Sequence, residues 1–261
     1  MSSYNDPADE IVHAPHPVLS DYYGGANNRR NWVGNMFDAT APDYNRIEAI
    51  LGLGTGSWYR RQALIRAGLK YGMEVVDVGM GTGLVARQAA VVVGDPARIT
   101  GVDPSPGMLE NARVPEGVKR VPGSAESIPF PDNSFDFLSM GYALRHISDL
   151  ALAFSEFERV LKPGGRLCLL EITCPEKPLP KMLLKAYVRG VVPTLARIAS
   201  RSRDTSVLWR YYWDTIEACA PPARIVHTLQ SAGFTSVDRH VELGIFSEYR
   251  AVKPGPAGKD S

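Results

Sequence analysis

Val75-Val76-Asp77-Val78-Gly79-Met80-Gly81-Thr82-Gly83-Leu84 is a short β-branched run that ends in a Gly-x-Gly-x-Gly turn and passes directly into an apolar helix-forming segment, Leu84 to Val93. A strand with so little polar alternation is buried on both faces, which implies a parallel sheet covered by helices. In open α/β sheets ligands settle at the carboxyl ends of strands, so the turn marks a nucleotide-like site. Glycine supplies the positive φ angles and the close backbone approach that such a turn needs.

Four more strands are predicted downstream at α/β spacing: Arg98 to Val102, Lys119 to Val121, Phe135 to Met140 and Arg166 to Ile172. A helix is predicted over Asp149 to Leu161, with Leu150, Phe154, Phe157 and Leu161 on one stripe and Lys162-Pro163-Gly164-Gly165 as its stop. Upstream, Ser20 to Lys70 reads as helical with breaks at Gly24-Gly25, Pro42 and Gly52 to Gly56, preceded by a loose arm holding Pro7, Pro15 and Pro17. Downstream, residues 177–213 read as helices interrupted at Pro193. A helix over Ala223 to Ala232 then leads to two strands, Thr235 to Glu242 and Ile245 to Val252, around Leu243-Gly244. The expected fold is α/β: a Rossmann-like, mostly parallel sheet with an antiparallel C-terminal edge, an N-terminal helical lid and a helical cap. One domain spans 1–261: arm 1–20, lid 21–70, cofactor-binding core 71–173, cap helices 174–215, last helix and strand pair 222–252, tail 254–261.

The chain's 29 Lys+Arg balance 28 Asp+Glu, which argues against a protein that coats nucleic acid, so no nucleic-acid partner is expected. Cys168, Cys174 and Cys219 are too few and too scattered for a disulfide framework, which points to a reducing cytoplasm. Asp6, Asp9 and Glu10 stand where an export signal carries positive charge. No uncharged apolar run approaches the ~20 residues of a membrane helix. The expected location is cytoplasmic, at most peripheral to a membrane.

Asp103 closes the second predicted strand, twenty residues beyond Gly83, where an acid accepts both hydroxyls of an adenosine ribose. Leu84 occupies the place of the third glycine in the dinucleotide fingerprint, and no Gly-Lys-Ser/Thr follows, so neither pyrophosphate nor a P-loop ligand is provided for. Asp77 beside the loop suits a cation. S-adenosylmethionine combines a ribose, no phosphate, and an ammonium and sulfonium that carboxylates attract. Ser124, Ala125 and Ile128, after the third strand, are positioned to face its adenine.

These segments resemble the class I S-adenosylmethionine-dependent methyltransferases, specifically the ubiquinone/menaquinone biosynthesis C-methyltransferase group. The resemblance runs from about Phe37 to Val252 and is carried by Phe37-Asp38-Ala39-Thr40-Ala41-Pro42-Asp43-Tyr44, the Asp77 to Gly83 loop, Asp103 to Leu109, Ala143 to Asp149 and Arg159 to Arg166. It implies that Tyr44 covers the methionine end of the cofactor, Asp103 the ribose and Arg145 the reacting ring. The implied cofactor contacts are Tyr44, Asp77, Gly79, Gly81, Gly83, Asp103, Pro104, Met108, Ser124, Ala125 and Glu126. Three positions depart from the group: His146 for asparagine, Asn45 for aspartate, and Asp103-Pro104-Ser105 for aspartate-isoleucine/leucine-asparagine.

Methyl transfer is in-line displacement, so a protein supplies alignment, a dry site and, for a phenol, a base. His146 has the pKa range for that base, with Arg145 holding the oxyanion; Tyr23 is a further catalytic candidate. Trp209, Tyr212 and Trp213 share a helical face that reads either as core or as the roof of an apolar pocket, which Tyr22-Tyr23 and Trp58-Tyr59-Arg60-Arg61 close from the other side. The expected acceptor is a small lipophilic molecule such as a quinol. Alternatives are an isoprenoid diphosphate, methylated with or without cyclisation, and a cofactor-binding accessory protein without turnover. Lys177, Lys181, Lys185 and Arg189, within a basic segment 177–203, form a stripe suited to a membrane surface or to plain solvation. A homodimer is compatible with the sequence. His13/His16 and Cys168/Cys174 do not have zinc-site spacing, so no metal is expected.

Overall fold

The structure, a computed structural model, describes residues 11–51, 55–194 and 205–255. Its centre is a seven-stranded sheet: β1 Val75–Val78, β2 Ile99–Asp103, β3 Lys119–Pro122, β4 Phe135–Gly141, β5 Leu161–Ile172, β6 Thr235–Glu242 and β7 Phe246–Val252. The order is β3-β2-β1-β4-β5-β7-β6, with every strand parallel except β7, which runs antiparallel to both β5 and its hairpin partner β6. β1 pairs with β2 on one side and β4 on the other, so the direction of winding reverses between β1 and β4. That reversal opens a crevice at their carboxyl ends.

The helices are α1 Ser20–Tyr23, α2 Arg29–Leu51, α3 Gly56–Arg66, α4 Leu84–Val93, α5 Pro106–Glu110, α6 Leu150–Val160, α7 Pro178–Ala186, α8 Thr205–Ala218 and α9 Pro222–Ser231. One face of the sheet buries Phe154 and Phe157 of α6 with Ile225 and Leu229 of α9. The other buries Leu64 of α3 with Val85, Ala89 and Val93 of α4. Asp149 caps α6 by accepting the Leu152 N–H at 3.1 Å, as its sequence position suggests.

The structure differs from the sequence reading in four places, the first being Pro193, across which residues 192–194 remain helical. The stretch read as a loose arm is fastened from Val12 onward. Val12 donates its N–H to the Thr228 hydroxyl, and the carbonyls of His13 and Pro15 accept the N–H groups of Leu150 and Ala220. An extended strap has no period to read, because its partners lie on distant elements. Pro42 does not break α2, which runs through it; the lost N–H simply leaves the Asp38 carbonyl without its helical donor. β5 begins at Leu161, so the predicted stop is absorbed into the strand as an irregular first turn, with Gly164 at φ 79°.

Gly83 is fixed by packing as well as by its φ of 85°, since a Cβ there would lie 2.2 Å from Val114 Cγ1. Gly83→Ala is expected to destabilise the chain by about 2–4 kcal/mol, combining αL strain with overpacking. Thermal unfolding checks this: adding Val114→Ala recovers the steric part alone, and an unshifted midpoint in Gly83→Ala would contradict the packing argument.

Candidate active site

The loop after β1 is tied to β2 by short polar contacts. Gly79 and Met80 donate to the Val102 carbonyl, and Gly81 donates to Asp103 Oδ2 at 2.8 Å. Asp103 Oδ1 accepts the Ser105 N–H at 2.8 Å. Gly79, Gly81 and Gly83 all have positive φ. The register Asp77↔Gly101 and Val78↔Val102 brings the loop and the Asp103 turn together, although about twenty residues separate them in sequence.

Two carboxyls sit beneath this loop. Asp77 is buried, with Oδ1 accepting the Ser139 hydroxyl and Oδ2 the Ala86 N–H. Burial pushes its pKa up to about 7, against the pull of those hydrogen bonds. Burial likewise raises Asp103 to about 6, opposed by the Ser105 and Gly81 amides. The site therefore holds carboxyls that a nearby cation would ionise.

The lid lies over them. Asp38 of α2 accepts the Ser105 hydroxyl and the Gly107 N–H, and so anchors the lid to the start of α5. Gly107 permits this contact, because a Cβ there would stand 2.9 Å from Asp38 Cα. Between lid and loop is a cavity of about 670 Å³. Of the predicted cofactor residues, Asp77, Gly79, Gly81, Asp103, Pro104, Met108, Ser124, Ala125 and Glu126 line it, as does His146. Gly83 is not in its wall and instead packs on Val114. Glu126 accepts the Ser148 N–H at 2.7 Å and lies 3.7 Å from Arg30. Tyr44 lies outside the residues whose side chains are described.

A second cavity, about 510 Å³, adjoins the first; Arg60, Tyr142 and Tyr212 stand in the walls of both. Apart from its few polar groups, its wall is aliphatic and aromatic, including Trp58, Val188, Trp209, Ile216 and Phe246. Arg145 belongs to this wall. It is fully buried and ion-paired with Glu171, its guanidinium 4.7 Å over the Tyr212 ring.

His146 is half-buried with Nδ1 3.3 Å from the Tyr211 hydroxyl, and its buried Nε2 makes no hydrogen bond among the described residues. Burial, then the charges of Arg145 and Arg29, hold its pKa well below the usual histidine value, so it is neutral. Tyr23 lines neither cavity; its hydroxyl accepts the Leu19 N–H at 2.9 Å and its ring packs near Trp32.

Three residues, Tyr142, Arg29 and Glu171, escaped the sequence reading, whereas Arg60 falls in a stretch it placed at the pocket. Tyr142, at φ 60°, follows β4 directly at the crevice, a rare backbone state for a bulky residue that signals a site under constraint. Arg60 lies 5.6 Å from the centre of the Tyr142 ring. Arg29 donates to the Arg145 carbonyl at 2.9 Å and sits 3.0 Å from His16 Nε2. Glu171 neutralises Arg145. The one legible signal was positional: Tyr142 sits just past the carboxyl end of a predicted strand.

Residues 25–253 match the ubiE/COQ5 methyltransferase family. The chain is 33% identical over 219 residues to a demethylmenaquinone methyltransferase of Lactiplantibacillus plantarum, covering 81% of this chain and 91% of that protein. It is 27% identical over 236 residues to a ubiquinone/menaquinone biosynthesis C-methyltransferase of Shewanella frigidimarina, covering 87% and 93% respectively. A crystal structure of a SAM-dependent methyltransferase from Thermotoga maritima superposes with a TM-score of 0.59 at 23% identity, over 84% of this chain and 99% of that one, a likeness of fold.

Proposed function

The chain belongs to the ubiE/COQ5 methyltransferase family and takes its methyl group from S-adenosylmethionine, and on that footing we propose that it methylates a ring carbon of a reduced, lipophilic quinone. The observation that carries this reading is the pair of adjoining cavities: a polar one over the glycine loop and an apolar one beyond Tyr142 and Tyr212. A flat ring fits where they meet, and an apolar extension fits the second.

The donor, when bound, supplies a methyl carbon on a sulfonium. Asp103 accepts from the ribose hydroxyls with the lone pairs left over from Gly81 and Ser105, while Pro104, Met108, Ser124, Ala125 and Glu126 enclose the adenine side. Asp77 gives the loop its negative potential. On the acceptor, His146 takes the phenolic proton through Nε2, with Nδ1–H directed to the Tyr211 hydroxyl. Arg145 stabilises the oxyanion, and the electron density raised on the adjacent carbon is directed onto the methyl carbon as the methyl–sulfur bond breaks to leave a neutral thioether; the ring C–H proton is then lost, restoring the aromatic ring while the oxygen regains its proton from His146.

Among the described residues, Arg60 and Arg145 are the basic ones in the apolar wall, and Arg145 is paired with Glu171. The several negative charges of a diphosphate exceed what these two guanidiniums, one already matched by Glu171, neutralise, whereas a single oxyanion does not, which favours the quinol. An acceptor of this kind resides in a bilayer, so we place turnover at a membrane surface. Incubation with radiolabelled donor is expected to label a short-chain naphthoquinone only after its reduction. Labelling of the oxidised form, or of an isoprenoid diphosphate instead, would reject the assignment.

His146→Ala is expected to lower kcat by about 10²–10⁴-fold with the phenolic acceptor while leaving donor affinity nearly unchanged. Because His146 is already neutral, the parent's rate should show no inflection near pH 6.5 from this residue. Steady-state kinetics across pH tests both statements.

Donor binding should weaken as pH falls. A cationic ligand prefers ionised carboxyls, and those of Asp77 and Asp103 accept protons as pH drops through about 7 and about 6. Affinity is then expected to fall by up to about tenfold per pH unit for each linked proton. The ligand-free chain has the opposite trend from these groups: their folded pKa values lie above the unfolded ones, so its stability declines as pH rises toward 7. Calorimetry in buffers of different ionisation enthalpy reads the proton release directly, and a flat affinity from pH 5.5 to 8 would refute the linkage.

A further inference from the structure

The wall of the apolar cavity has an outside. Along α7 and the π-helical turn Tyr187–Val191 that continues it, Leu184, Val188 and Val192 line the cavity, while Leu179, Met182 and Leu183 are about 60% exposed on the other side. Tyr187, one turn beyond Leu183, belongs to both, lining the cavity and remaining exposed. Two other lining residues are also open to solvent: Trp58 of α3 and Leu243 at the tip of the β6–β7 hairpin, the latter 80% exposed.

Leu243 stands out chemically. It precedes Gly244 in the hairpin turn at φ 51°, where asparagine or glycine relieves the strain that a leucine bears. Nothing in the turn's own geometry calls for an apolar side chain there.

We propose that α7, the π-helical turn and the Leu243-Gly244 tip form a face that docks onto a lipid bilayer, so that the acceptor passes from the membrane into the apolar cavity; this rests on the lipophilic acceptor proposed above. The apolar side chains would enter the acyl boundary, with cations of the same helix beside the headgroups. The basic stripe contributes less than its spacing suggests. Lys181 is 2.9 Å from Glu217, Arg189 is 3.4 Å from Asp214, and the Lys185 ammonium is 5.7 Å from the centre of the Trp213 ring, all on α8. Apolar insertion is therefore the main attraction, and anionic lipid strengthens it.

The full chain should sediment with mixed phosphatidylglycerol/phosphatidylcholine vesicles and more weakly with phosphatidylcholine alone. Replacing Leu179, Met182 and Leu183 together by glutamate should weaken partitioning by about tenfold or more, with donor binding by calorimetry unchanged as proof of folding. Leu243→Asn should also reduce partitioning while keeping or raising the thermal midpoint. Methyl transfer to a short-chain, water-soluble quinol without vesicles tests the acceptor separately and should survive in the glutamate variant. The docking proposal is overturned if the parent fails to sediment with either vesicle, if the glutamate variant binds them as tightly as the parent, or if ultracentrifugation shows a dimer that the glutamate variant dissociates.

Discussion

Arg145→Met should cost about 3–5 kcal/mol of stability and abolish detectable methyl transfer, because it strands a buried carboxylate. Glu171 is 2% exposed and its charge is answered by the guanidinium of Arg145, which in turn covers the Tyr212 ring between the two cavities. For a chain of this length that cost corresponds to a fall in Tm of roughly 10 °C. The loss should depend on pH. Burial already raises the Glu171 pKa, and without Arg145 it rises further. The folded state then holds a proton that the unfolded state releases, so the penalty grows as pH rises and shrinks in acid. Adding Glu171→Gln should restore most of the stability but not the activity. A single variant with the parent's Tm at pH 8 would show that the pair is not what supports this wall.

Asp103→Asn, nominally conservative, is expected to weaken donor binding by about 100-fold or more. Both carboxyl oxygens accept backbone N–H groups, from Gly81 and Ser105. An amide can satisfy only one; its NH₂ must face the other donor. The variant thus loses a charge-assisted bond worth about 1.5–3 kcal/mol and disturbs the glycine loop, in addition to weakening the ribose contact. Calorimetric titration measures it. Binding within threefold of the parent would remove Asp103 from the donor site.

How much of this was readable beforehand depended on where the interaction partners lay. The strand Val75–Val78, its glycine turn and Asp103 were legible because a parallel register couples them at a fixed offset. The antiparallel edge was equally legible from two alternating runs around Leu243-Gly244. Arg29 was not, since it serves Arg145 through a carbonyl 116 residues away and meets His16 on the strap. His16 itself looked like a residue of a proline-flanked arm. Its Nδ1 faces the Pro17 carbonyl and its Nε2 faces Arg29, a pattern satisfied by one neutral tautomer, and burial pushes its pKa down to about 4. The aromatic block Trp209 to Trp213 was ambiguous between core and roof because it is both: Tyr211 and Trp213 are fully buried, while Trp209 and Tyr212 face the apolar cavity. Local pattern separates buried from exposed, but it does not separate packing against protein from packing against a ligand.

The shared partition of Arg60, Tyr142 and Tyr212 carries a consequence for engineering. Ile216, Phe246 and Val188 border the apolar chamber without touching the polar one. Trimming those three side chains offers a route to bulkier recipients of the alkyl group that leaves the sulfonium's own berth intact.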